Sequence, residues 1–143
     1  MSGEPILLVE DDDIERELTL SALAEARLSN PVVIAQDGAE ALDYLLRRGC
    51  HAGRGGGDPI LVLLDLRLPK VDGLEVLTAI RANPELRSLA VVIQTSCNDE
   101  RDLALCCRLG VAAHVSKPVD FDKLFAAVRQ LRLGWVLLKE AHD

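Results

Sequence analysis

The feature that most constrains this chain is a repeated alternation. Short apolar runs, each too short for a helix, are separated by stretches whose apolar residues recur every three or four positions. Ile6-Leu7-Leu8-Val9, Val32-Val33-Ile34-Ala35, Ile60 to Leu64, Val91-Val92-Ile93 and the shorter His114-Val115-Ser116 are the strand candidates. Continuous rather than alternating apolar runs belong to strands buried on both faces. Between the strands, Ile14, Leu18, Ala22 and Ala26 predict one face of a first helix. Asp37 caps a second, with Glu40 completing a capping-box-like start. Its inner face is Ala41, Leu42, Leu45 and Leu46, and Gly49 ends it. Leu74, Leu77 and Ile80 mark a third helix, stopped at Asn83-Pro84, and Leu103, Cys106 and Cys107 a fourth, stopped at Gly110. Phe121, Leu124, Phe125, Val128 and Leu131 mark a fifth. Strand–helix units in unbroken succession predict a parallel sheet with helices on both faces. Right-handed crossovers and the length of 143 residues favour a flavodoxin-like (βα)5 doubly wound sheet, strand order 2-1-3-4-5.

That length suits one domain, residues 1–143, with a core over about 4–133. The apolar tail with Trp135, Val136, Leu137 and Leu138 reads as a C-terminal helical extension packing on its own core, the alternative being an exposed patch for a partner. No apolar run reaches the ~20 residues of a membrane span, and no basic segment precedes the first one, so a cytoplasmic protein is expected. Sixteen basic and 23 acidic residues give a net charge of −7, which disfavours nucleic acid as a partner. The four cysteines lack a disulfide-framework spacing and are expected to be reduced.

Ligands of open α/β sheets bind at the carboxyl ends of the strands. Those ends read Glu10-Asp11-Asp12-Asp13, Asp65, Thr95-Ser96 and Lys117-Pro118. If strands one and three are neighbours, Glu10 or Asp11 shares a crevice with Asp65. Like charges ~4 Å apart repel by roughly 4 kcal/mol at an effective dielectric near 20. Either their pKa values rise or a cation sits among them. An oxygen-only cluster suits Mg²⁺ better than Zn²⁺. A carboxylate nucleophile, a divalent ion, a lysine and a hydroxyl together form an acyl-phosphate site. Asp12 and Asp13 also read simply as a helix N-terminus.

The segments ILLVED (Ile6 to Asp11), LLDLRLPKVDG (Leu63 to Gly73), IQTS (Ile93 to Ser96) and VSKP (Val115 to Pro118) resemble the receiver domains of two-component response regulators, over nearly the whole chain. The long loop from Gly49 to Pro59 and the Trp near the C-terminus are similar to the stand-alone regulators that pair with bacterial phytochromes. The resemblance implies that Asp65 is the phosphoacceptor. It implies that Asp11 holds Mg²⁺ directly and Glu10 partly through water, with Asp65 and the backbone carbonyl of Arg67 as further ligands. Thr95 would contact the phosphoryl group and move on activation, and Lys117 would bind a phosphoryl oxygen. Lys117–Pro118 would be a cis peptide, for which X–Pro bonds carry only a small penalty. The implied donor is a sensor histidine kinase, and the implied output a downstream protein target, a phosphotransfer protein or a homodimer.

Three positions depart from the family pattern. Glu10 stands where a first aspartate is usual. Arg67 replaces a smaller polar residue; with Cys97, it flanks the expected path of hydrolytic water, and neither orients water well. Slow autodephosphorylation is therefore expected. His114 occupies the usually aromatic switch position and is expected to rotate toward the space Thr95 vacates, unless it merely makes an edge hydrogen bond.

A phosphatase with an aspartyl-phosphate intermediate would need an acid two residues after the nucleophile, where Asp65-Leu66-Arg67 has arginine. A phosphorylation-independent binding module would be favoured by loss of Asp65 or Lys117. Gly53 to Gly57 lacks the Gly-Lys-Ser/Thr ending of a phosphate loop and reads as a flexible insertion; Cys50-His51 has no second pair to complete a metal site.

Overall fold

A computed structural model describes residues 4–25, 30–55, 57–95, 100–117, 122, 123 and 126. Five parallel strands form one sheet in the order β2-β1-β3-β4-β5. They are β1 (Ile6–Val9), β2 (Val32–Ala35), β3 (Leu61–Asp65), β4 (Val91–Thr95) and β5 (Ala113–Ser116). The helices among the described residues are α1 (Asp13–Glu25), α2 (Gly38–Leu46), α3 (Gly73–Ala82) and α4 (Glu100–Arg108). The doubly wound flavodoxin-like arrangement expected from the strand–helix succession is the one observed. Ala26, Cys97, the Lys117–Pro118 peptide and the tail after Leu133 lie outside the described residues, as does the fifth helix apart from residues 122, 123 and 126.

The apolar runs are continuous because both sheet faces are covered. Leu7, Val9, Val62, Leu64, Val91 and Ile93 pack with Ala41, Leu45, Val76, Leu77, Ile80 and Cys106 from α2, α3 and α4. On the other face, Ile6, Leu8, Leu61, Leu63, Val92 and Val115 pack with Ala22 and Leu23 of α1. Every residue of β1, β3 and β4 is buried, as expected for parallel central strands.

The first helix is rotated from the expected phase. Ile14 is 72% exposed and Leu18 40%, while Thr19, Ala22 and Leu23 are buried. The cap sets this rotation. Asp12 Oδ1 accepts from the Ile14 and Glu15 amides, both at 2.9 Å, so the helix starts beside the acidic turn with Ile14 facing outward. Asp12 thus serves as a helix N-cap, and Asp13 pairs with Arg16.

The second helix begins as its sequence implies. Asp37 Oδ1 accepts from Glu40 N at 2.7 Å, and Glu40 Oε1 accepts from Gln36 N at 2.9 Å. It ends earlier than Gly49. Arg47 takes the left-handed conformation, with φ of 54°, and the Arg48 amide donates to the Asp43 carbonyl at 2.8 Å. In the glycine-rich loop that follows, the Arg54 guanidinium lies 4.0 Å from the centroid of the Tyr44 ring and donates from Nε to the Tyr44 carbonyl at 2.7 Å. His51 meets the same ring edge-on, with centroids 5.3 Å apart. The loop is therefore clasped to the end of α2. In α4, Cys106 is core and Cys107 exposed, so Cys107 is not on the apolar side.

Candidate functional site

The sheet order puts the carboxyl ends of β1 and β3 side by side, with β4 and β5 next in line. Val9 is in register with Leu64, Asp65 with Gln94, and Thr95 with Ser116. Glu10 and Asp11 therefore emerge beside Asp65, and Lys117 emerges just past Thr95. Local bonds fix these positions. The Glu10 amide donates to the Ala35 carbonyl at 3.0 Å, and the Lys117 amide to the Thr95 carbonyl at 3.2 Å.

The side chains converge on Asp65. Lys117 Nζ lies 2.9 Å from Asp65 Oδ2 and 2.6 Å from Glu10 Oε1. Asp65 Oδ1 accepts from the Arg67 amide at 3.1 Å, and Glu10 Oε2 from the Asp12 amide at 3.2 Å. Glu10 and Asp65 are buried and Asp11 is exposed at the rim. One carboxylate oxygen from each of the three lies within 4.8 Å of the others. Lys117 is thus the shared counter-ion of two buried carboxylates.

One ammonium does not neutralise two buried carboxylates. Burial pushes Glu10 up to about 7 against the pull of Lys117, and the Asp65 charge adds to the rise. Burial opposes the charge on Lys117 as well, but the Glu10 and Asp65 carboxylates outweigh it and its pKa is raised. The pocket is therefore short of positive charge. Its donors are oxygens converging from two sides, which fits a hard divalent cation.

Thr95 is buried at the end of β4. His114, on β5 in register with Ile93, has an exposed side chain. The Arg67 side chain reaches α4, where its guanidinium lies 3.8 Å from Asp102. That pair joins residues far apart in sequence, and no local pattern announces it. Gly73 opens α3 so close to β3 that an added Cβ would lie 2.3 Å from the Asp65 carbonyl. A glycine at a helix start beside a strand end was the only available signal.

A buried carboxylate at a strand end, acidic neighbours and a lysine on a doubly wound sheet define a class, and the chain belongs to it: it is a member of the response regulator receiver domain family, whose family model matches residues 6–129. Phytochrome response regulators are among the solved structures it is similar to. Over 92% of this chain and 94% of the other, it is 52% identical to the bacteriophytochrome response regulator AtBRR, with a TM-score of 0.84. It is 34% identical to the response regulator Rcp1 of Synechocystis sp., over 92% of this chain and 88% of that protein. The Mn²⁺-bound form of Rcp1 superposes with a TM-score of 0.79, at 33% identity, over 94% of this chain and 95% of the other. The phosphorylated cyanobacterial phytochrome response regulator RcpA gives 0.78 at 35% identity, with the same coverage. The protein is a response regulator of the phosphorylation-driven receiver type.

Proposed function

We propose that Asp65 accepts a phosphoryl group from the phosphohistidine of a sensor histidine kinase in a Mg²⁺-dependent reaction. The observation that carries this reading is the Asp65 carboxylate itself: buried, with Lys117 Nζ 2.9 Å from Oδ2 and with Glu10 and Asp11 close enough to share a cation. In the transfer, an Asp65 carboxylate oxygen attacks phosphorus. The phosphorus–nitrogen bond breaks, its electron pair stays with the imidazole, and that ring takes up a proton. Lys117 has three donors, enough to hold a phosphoryl oxygen while still touching Glu10. The Thr95 hydroxyl donates to a second phosphoryl oxygen. Glu10, Asp11, Asp65 and the backbone carbonyl of Arg67 are the groups we assign to Mg²⁺, Asp11 directly and Glu10 partly through water. When bound, the ion neutralises charge on the transferring group.

Output follows from the movement of Thr95 toward the phosphoryl group. His114, exposed on β5, then turns into the vacated space. The chain acts as one receiver domain and signals through protein contacts in the cytoplasm: a downstream target, a phosphotransfer protein or a second copy of itself. Its identity to AtBRR supports a bacterial phytochrome as the kinase. The arginine at the third position of Asp65-Leu66-Arg67 supports a switch that modifies only itself over a phosphatase.

Incubation with acetyl phosphate and Mg²⁺, followed by intact mass measurement, tests the reading. One added phosphoryl group is expected, absent in Asp65→Asn and with chelator. No addition, from either acetyl phosphate or a phosphorylated kinase, would overturn it.

A further inference from the structure

The Arg67 backbone and its side chain face two different tasks. The Arg67 amide donates to Asp65 Oδ1 at 3.1 Å, so the residue is rooted at the acceptor carboxylate. Its guanidinium lies 3.8 Å from Asp102 Oδ2, in the first turn of α4. The side chain of Arg67 is 67% exposed and that of Asp102 25%, which makes this a weak, solvent-screened pair that exchanges easily.

We propose that Arg67 is a two-position tether, a reading that rests on Asp65 being the phosphoacceptor. In the unphosphorylated protein its guanidinium holds the first turn of α4 through Asp102. A phosphoryl group on Asp65 carries about −1.5 to −2 charge and three acceptor oxygens, against the single charge of Asp102. The guanidinium fork suits phosphate oxygens, and the better acceptor lies two residues back along the chain, at the end of β3. Arg67 therefore transfers to a phosphoryl oxygen, its pair with Asp102 is given up, and α4 loses that tie at the end nearest the site. No covalent bond changes in this exchange. Arg67 is a positioning residue that couples the charge on Asp65 to α4.

The test is the affinity for fluoroberyllate, a phosphoryl mimic, in the presence of Mg²⁺. It is measured by fluorine NMR in the full chain, in Asp102→Asn, in Arg67→Ala and in the double variant. Loss of the competing carboxylate should tighten binding about two- to fivefold in Asp102→Asn. Arg67→Ala should weaken it, and the Asp102→Asn effect should vanish in the Arg67→Ala background. Amide signals of Leu103, Ala104 and Leu105 should shift on fluoroberyllate addition and be partly shifted already in Asp102→Asn. Equal affinity in wild type and Asp102→Asn would overturn the tether. So would a gain that persists without Arg67, because it would reflect only the removal of a negative charge. Failure of the wild type to bind fluoroberyllate while it binds Mg²⁺ would instead strike the phosphoacceptor reading, and the tether with it.

Discussion

Lys117 is closer to Glu10 than to Asp65: its Nζ is 2.6 Å from Glu10 Oε1 and 2.9 Å from Asp65 Oδ2. The lysine therefore stabilises the charge of a buried glutamate as well as the acceptor. Removing one partner of a buried pair leaves an uncompensated charge, a loss of about 3–5 kcal/mol at most. Glu10 can escape that cost by protonating. Lys117→Met should therefore be strongly destabilised at pH 8 and far less at pH 5.5 in metal-free urea unfolding. An equal loss at both values would mean that Glu10 is not the partner that matters.

Metal binding should be linked to a proton. In the metal-free protein the Glu10 pKa is raised from 4.5 to about 7, so the folded state prefers the neutral acid. The stability this brings is fully present below pH 4.5 and is lost as pH rises through about 7. A divalent cation favours the ionised form. Mn²⁺ affinity, followed by electron paramagnetic resonance, should thus weaken as pH falls below 7, by up to about tenfold per unit. A flat profile between pH 8 and 5.5 would remove Glu10 from the metal site.

Gly73 should tolerate no side chain. A Cβ there would meet the Asp65 carbonyl at 2.3 Å and Leu66 Cα at 2.6 Å, both backbone atoms that cannot swing aside. Gly73→Ala should cost about 1–3 kcal/mol in urea unfolding and weaken Mg²⁺ binding, because the strand end that carries Asp65 must shift. Wild-type metal affinity in a destabilised variant would separate the packing role from the site.

Gln94 is fully buried beside Asp65 in the sheet register, and neither amide atom has a hydrogen-bond partner among the described residues. Leaving buried polar atoms unpaired costs about 1–3 kcal/mol. Gln94→Met keeps the shape and drops the polar atoms. The urea midpoint should rise with an unchanged slope, corresponding to about 1 kcal/mol. A fall would reveal a partner for the amide.

Arg67→Asn should lose its phosphoryl group several-fold faster than wild type. Asparagine carries an acceptor oxygen that can orient water, whereas the guanidinium offers only donors. The decay of the phosphorylated mass after removal of acetyl phosphate measures this. Equal decay would discard the expectation of slow hydrolysis.

Much of the architecture was legible because a parallel sheet writes itself locally. Ile6 to Val9 and Leu61 to Leu64 are apolar at every position because both faces are buried, and Asp37 with Glu40 carries its own capping chemistry. The first helix was misread for a local reason as well. Ile14, Leu18 and Ala22 recur every four residues, a spacing that drifts about 40° per step around a helix; with the start fixed by the bonds from Ile14 and Glu15 to Asp12, Ile14 and Leu18 face outward and only Ala22 reaches the core. Periodicity gives the width of an apolar stripe, not the direction in which the preceding turn aims it.

By itself, the sequence determined the succession of strands and helices, the carboxylate-rich strand ends, and the presence of Asp65, Thr95 and Lys117 at three of them. These depend on residue type and spacing along one stretch of chain. Only the tertiary structure decided that Lys117 serves Glu10 as well as Asp65, that Arg54 clasps the glycine-rich loop onto Tyr44, and that Arg67 reaches Asp102. Each is a through-space distance between distant segments, fixed by how strands register and helices seat on the sheet. Electrostatic energy depends on that distance and on burial, neither of which is written in the order of the residues.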